Sequence, residues 1–301
     1  MLPPSQSHLF QLLFWLILGL LLGCSGKEHQ QSGPENNPAT ATVTEPPKPS
    51  LQQDTLLRVG GHTVELLIPT GNWKGNLLLL PGWNYTRRSW CENSRICDSA
   101  RREGYLLILP EMMRSMYTYQ EYPETRQDLR GYPQMPWFSQ HLLPKLQQEF
   151  SILLPEQFNC VLGLSSGGRG VGMMAVEFPD IFAAGAALSG DFDLTAMPNE
   201  RLNILTWGPY KTFPERWEGK ANISRRLESW KMAIYLGHGQ KDKVVPFSET
   251  KNFYNKLTQR YPELPVELHL PPEAEHNYTY WDSEIPAVLG FFHQQWERKS
   301  R

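Results

Sequence analysis

Cysteine is scarce: the 301 residues hold four, with no Cys-x-x-Cys pair and no His/Cys cluster at zinc-ligand spacing. Structural zinc of the finger type is therefore excluded. A basic cluster is missing too. The formal net charge is −2 and Lys and Arg are dispersed, which argues against nucleic acid as a partner, since phosphate binding needs concentrated positive charge. No internal repeat is present, so the chain is not a solenoid. There is no comfortable membrane span either. The longest apolar run, Leu9 to Gly23, is about 15 residues and is broken only by Gln11.

That run has the length of a signal-peptide core. It ends in Leu21-Leu22-Gly23-Cys24-Ser25, which resembles a bacterial lipobox, in which the signal is cut before a cysteine that then carries lipid. The resemblance implies lipidation at Cys24 and a cell-envelope location; an ordinary signal peptide would leave the protein secreted. The following residues are polar, rich in Pro, Gln, Thr and Asn, and bury too little apolar surface to offset ordering entropy. The expected organisation is a lipoprotein-type signal peptide at 1–23, a flexible tether at 24–53 and one folded domain at 54–301. In an oxidising compartment Cys91 and Cys97 are candidates for a short-loop disulfide, whereas Cys160, inside an apolar run, reads as a buried small hydrophobe.

Beyond residue 55 short apolar runs alternate with helical stretches. Strands are expected at 64–69, 76–81, 105–110, 159–164, 184–188, 232–238 and 266–270, several of them continuously apolar, as in a parallel sheet covered on both faces. Helices are expected near 92–103, 139–150, 168–177, 247–260 and 281–297. The alternation predicts a three-layer α/β sandwich with a mostly parallel central sheet and helices on both faces. Segments 111–138 and 195–230 are irregular and rich in Tyr, Trp, Pro and Arg. They are expected as loops or small excursions over the carboxyl edge of the sheet, where α/β proteins bind ligands.

Gly163-Leu164-Ser165-Ser166-Gly167 is a G-x-S-x-G motif between an expected strand and an expected helix, the setting of a strained turn that pushes a serine hydroxyl outward. The positions two before and two after that serine must be small. Ser165 is flanked by Gly163 and Gly167; Ser166 would be flanked by Leu164 and Gly168. Ser165 is therefore the candidate nucleophile, and Ser166 supplies a backbone N–H for an oxyanion hole. A serine needs a base, and the base an orienting acid. In the order Ser, acid, His, Asp242 in "GHGQKDKVVP" and His276 in "EAEHNYTYW" follow expected strands. Asp191 and Asp193 are rival acids, and His238 is a rival base. Pro81-Gly82-Trp83 after an early strand offers the Trp83 N–H as second oxyanion donor. Asn84, Tyr85, Arg169 and Asn277 lie close enough in sequence to be candidate substrate contacts. Arg114, Arg126 and Arg130, among many aromatics, suit carboxylates and aromatic or sugar groups.

"GLSSGGRGVGMMA" resembles the S-x-G-G-x-G segment of the esterases related to esterase D, which include feruloyl esterases and mycolyltransferases. "HGQKDKVVP" resembles the acid loop common across α/β-hydrolases, "EHNYTYW" is similar to the histidine segment of the esterase D relatives, and "FPDIFAAGAALSGDFD" to a strand of theirs. The resemblance spans about residues 60–297. It implies the α/β-hydrolase fold, the triad Ser165, Asp242 and His276, and oxyanion donors near Trp83 and Ser166. Pro81 departs from the His-Gly of many relatives. The expected function is cofactor-free hydrolysis of carboxylic esters through an acyl-enzyme, on a small-molecule or carbohydrate-linked ester, by a monomer held at the membrane by its lipid anchor and using no metal. A peptidase or acyltransferase of the same fold is the alternative, ahead of a non-catalytic binding protein.

Overall fold

The structure is a computed structural model and describes residues 46–300. The expected signal peptide, Cys24 and most of the expected tether lie outside the described residues. Eight strands form one sheet: β1 Thr55–Val59, β2 His62–Leu67, β3 Gly75–Leu80, β4 Tyr105–Pro110, β5 Asn159–Leu164, β6 Ala184–Leu188, β7 Ala233–Gly237 and β8 Val266–His269. Their order is β1-β2-β4-β3-β5-β6-β7-β8. The pairs β1–β2 and β2–β4 are antiparallel, and the rest are parallel. This is the mostly parallel α/β-hydrolase sheet.

The helices are α1 Ser89–Asn93, α2 Ile96–Arg102, α3 Met135–Trp137, α4 Leu143–Phe150, α5 Ser166–Glu177, α6 Arg201–Trp207, α7 Pro214–Glu218, α8 Ser248–Arg260 and α9 Tyr278–Lys299. The central strands are buried throughout and mostly apolar because helices cover both faces; their two asparagines, Asn76 and Asn159, bond each other. Leu78, Leu80, Ile108 and Val161 face one core with Leu146 of α4, Val171 of α5 and Phe253 of α8. Leu77, Leu79, Leu107 and Leu162 face the other, with Ala100 of α2 and Ile285 and Phe292 of α9. Alternate residues of each strand thus serve opposite layers.

Two expectations need correction. The domain begins before residue 54: Ser50 N–H donates to Phe150 O at 3.0 Å, and the Gln157 amide donates to Pro47 O at 2.6 Å, so residues 47–50 pack on it. The helix expected at 92–103 is two, α1 and α2, joined across their bend by a Cys91–Cys97 disulfide. The irregular segments form small excursions rather than bare loops. They carry α6, α7 and most of a third apolar cluster, Met116, Trp207, Trp217 and Ala221, joined by Leu194 and with Trp83 packed against it. No helix among the described residues is long and apolar enough to cross a membrane.

Candidate active site

The turn from β5 to α5 is built by close backbone approach. Ser165 has φ 53° and ψ −124°, a left-handed conformation that costs free energy for a residue with a Cβ. A Cβ on Gly163 would lie 2.1 Å from Gly167 O, and one on Gly167 would lie 2.3 Å from Leu80 O. Both obstacles are backbone, so neither position accepts a side chain. The turn is pinned from the next strand by the Ser165 N–H, which donates to Leu188 O at 2.8 Å.

The parallel strands end side by side, and their loops converge on Ser165. Its Oγ is 3.0 Å from His276 Nε2, and His276 Nδ1 is 2.6 Å from Asp242 Oδ2. His276 comes from the β8–α9 loop and Asp242 from the loop after β7. The Asp242 side chain is fully buried, and that of His276 is 13 % exposed. Burial opposes ionisation of Asp242. Hydrogen bonds from His238 and His276, the His276 charge and the Val245 N–H outweigh it and hold the carboxyl well below the usual carboxylate range. The edge of Trp281 meets the His276 ring at 5.0 Å, and Trp281 Nε1 is fixed by Ser189 Oγ at 3.1 Å.

The rivals are committed elsewhere. Asp191 pairs with Arg169 at 3.2 Å. Asp193 caps a turn at Thr195 and takes bonds from Asn222 and Lys256. His238 is fully buried and reaches Asp242, not Ser165.

On the oxyanion side, no backbone acceptor among the described residues takes the Trp83 N–H, and Ser166 opens α5, where an N–H has no intrahelical acceptor. The loop without histidine is held by other means. Tyr117 Oη donates to Pro81 O at 3.1 Å, Trp90 Nε1 donates to Leu80 O at 3.1 Å, and Tyr85 bridges to Met113. Tyr85 is exposed and meets Tyr278 edge-on at 5.5 Å. Asn84 is exposed at φ 63°, its Oδ1 taken by Arg114 Nε at 3.1 Å. The Arg114 guanidinium also lies over the Trp83 ring at 5.8 Å.

One candidate substrate contact, Arg169, is corrected, and Asn277, which is exposed, also has a structural role. Arg169 has no exposed surface; it pairs with Asp191, donates to Ala221 O and stacks 5.1 Å from the Trp207 ring. Asn277 is the N-cap of α9, its Oδ1 accepting the Tyr280 N–H at 3.1 Å. Sequence reasoning missed the bond from His238 to Asp242, although the four-residue spacing within "HGQKD" carried the signal. Among the described residues no cluster of three or more His, Cys, Asp or Glu is arranged to hold a metal ion.

A model of the prolyl oligopeptidase family matches residues 145–298, just over half of the chain, a span that contains Ser165, Asp242 and His276. No curated protein matches the sequence. Among solved structures, the fluorophosphonate-binding serine hydrolase F of Staphylococcus aureus is similar with a TM-score of 0.62 at 16 % identity, over 80 % of this chain and 99 % of that one. A ferulic acid esterase gives 0.57 at 18 % identity, over 81 % and 97 %. A puromycin-hydrolyzing peptidase of Mycobacterium tuberculosis gives 0.60 at 15 % identity, over 81 % of this chain and 40 % of that one. At these identities the solved structures establish the fold alone, and the family match carries the assignment. The chain belongs to the prolyl oligopeptidase family, serine hydrolases built on the α/β-hydrolase fold.

Proposed function

We propose that the protein hydrolyses carboxylic esters through a covalent acyl-enzyme. The observation that carries this is the line from Ser165 Oγ through His276 to Asp242, at 3.0 Å and 2.6 Å. Ser165 Oγ attacks the ester carbonyl as His276 Nε2 takes its proton. Asp242 holds the imidazole so that Nε2 faces the serine, and it stabilises the imidazolium. The N–H groups of Trp83 and Ser166 stabilise the tetrahedral oxyanion. His276 returns the proton to the leaving alkoxide. Water, deprotonated by His276, then cleaves the acyl-enzyme and frees Ser165. Ester rather than peptide cleavage is supported by the extent of the likenesses: the chain spans 97 % of the ferulic acid esterase but 40 % of the peptidase.

Substituting Ser165→Ala should lower p-nitrophenyl acetate hydrolysis by roughly 10⁴–10⁶-fold and abolish fluorophosphonate labelling, with the melting temperature kept. Labelling that persists overturns the reading. The family match favours a second reading, a peptidase. Cleavage of peptide anilides at a higher kcat/KM than the matching esters would select it.

For location we propose an envelope lipoprotein lipidated at Cys24, on the strength of the Leu-Leu-Gly-Cys segment. Metabolic labelling with an alkyne fatty acid, lost in Cys24→Ala, tests it.

A further inference from the structure

His238 is the one fully buried histidine among the described residues, and its ring is held at three points. Nδ1 lies 2.7 Å from Thr250 Oγ1 on α8. Nε2 lies 2.9 Å from Val245 O and 3.1 Å from Asp242 Oδ2. Both neighbours of Nε2 are acceptors, so Nε2 carries a proton and donates. The Nε2 proton is shared between Val245 O and Asp242 Oδ2, and the Thr250 hydroxyl, whose other acceptor, Gly190 O, lies at 3.5 Å, turns to Nδ1, so the neutral Nε2–H tautomer serves these contacts without burying a cation.

The other end of this bond is the candidate acid. Asp242 Oδ1 accepts the N–H groups of Val244 and Val245 at 2.8 and 2.9 Å, while Oδ2 accepts from both His238 and His276. Four donors fix the carboxylate. Without His238, Oδ2 would have His276 as its only donor.

We propose that His238 is a positioning residue for the hydrolysis inferred above, and the inference rests on that reading of Ser165, Asp242 and His276. The Nε2–H of His238 locks the Asp242 carboxylate in the plane that His276 needs. It also draws charge from the oxygen that faces His276, which tempers the pull of Asp242 on the imidazolium formed during attack. Charged and titratable groups stand on the elements packed around His238 and Asp242, Tyr280 of α9 among them through its interaction with Asp242. Asp242 stands on its own loop, and His276 lies beyond it on the β8–α9 loop. Glu249 precedes Thr250 on α8 and takes the N–H groups of Phe192 and Asp193; Asp191, after β6, is paired with Arg169.

The test compares His238→Phe, which removes the N–H, with His238→Gln, whose amide restores one, in the full chain with p-nitrophenyl acetate. A lost hydrogen bond to a charged group predicts a fall in kcat of roughly 10–100-fold for His238→Phe, with KM nearly unchanged and the acid limb of kcat/KM moved to higher pH. His238→Gln recovers most of the rate. In an Asp242→Asn background, His238→Phe has little further effect. A His238→Phe enzyme with unchanged kcat and acid limb, and only a lower melting temperature, overturns the proposal. The wild type gives a readout that needs no variant: ¹⁵N spectra of labelled protein should show His238 protonated at Nε2 and not at Nδ1, and the reverse tautomer overturns the proposal. An active Ser165→Ala enzyme refutes the underlying reading. An inactive Ser165→Ala beside an unaffected His238→Phe refutes this inference alone.

Discussion

Arg169 Nη1 lies 3.2 Å from Asp191 Oδ2, with the guanidinium wholly buried and 5.1 Å from the Trp207 ring. One turn beyond Ser165, the arginine ties α5 to the loop after β6 and to Ala221 and Trp207 of the segment above the sheet. It works as a strut. Substituting Arg169→Met leaves Asp191 buried without its partner and should destabilise the protein by about 3–5 kcal/mol. Adding Asp191→Asn should recover much of the loss. Arg169→Lys should not, because a lysine cannot bond Asp191 and Ala221 with one planar fork. Urea denaturation of the four proteins checks this.

Among the described residues, Gly167 and Gly290 stand near opposite extremes of the room they leave for a side chain. A Cβ on Gly167 would lie 2.3 Å from Leu80 O and 2.6 Å from Pro81 O, whereas one on Gly290 in α9 would have nothing within 4 Å. Gly167→Ala should cost about 1–3 kcal/mol by overpacking and slow fluorophosphonate labelling, because the turn that carries Ser165 must shift. Gly290→Ala should raise stability by roughly 0.5–1 kcal/mol through helix entropy and leave labelling unchanged. Thermal melts and labelling rates, measured side by side, would contradict the steric account if both variants behaved alike.

Glu249 is 4 % exposed. Burial, reinforced by the charges of Asp191 and Asp193, outweighs the N–H groups of Asp193 and Phe192 and lifts its carboxyl from 4.5 to about 7. The folded state then binds more protons than the unfolded one between these values, so stability falls as pH rises through that window and levels off above it. The loss between about pH 5 and about pH 8 should be roughly 2–3 kcal/mol from this residue. Glu249→Gln should remove that part of the slope and be the more stable protein at the alkaline end. Denaturation curves for both proteins at the two pH values decide it; equal slopes would contradict the assignment.

Much of the scaffold could be read from residue patterns. The runs that became β3, β4 and β5 are apolar on both faces because two helical layers cover them, and that leaves a mark in one dimension. The edge strand β1 left little mark: "TLLRV" is half exposed and alternates over only five residues. The segment 92–103 kept a helical pattern, but the bend at Ser94, closed by Cys91–Cys97, divides it. Asn277 could have been read as a cap, since an asparagine just before a helical run usually is one. For Arg169 no local signal existed, because its partners lie 22 and 52 residues away.

What the sequence determined by itself is local. Gly163 and Gly167 around Ser165 specify the turn, since backbone clashes there depend only on near neighbours and the adjoining strand end. The order serine, aspartate, histidine is equally a matter of sequence. The choice among Asp191, Asp193 and Asp242, and between His238 and His276, belonged to the tertiary structure. His276 meets a serine 111 residues away and an aspartate 34 residues away because β5 through β8 run parallel in adjacent register and bring their carboxyl ends together. The same packing seals His238 behind Asp242, out of reach of Ser165. A hydrogen bond needs a partner within about 3 Å, and only the sheet decides which loops come that close.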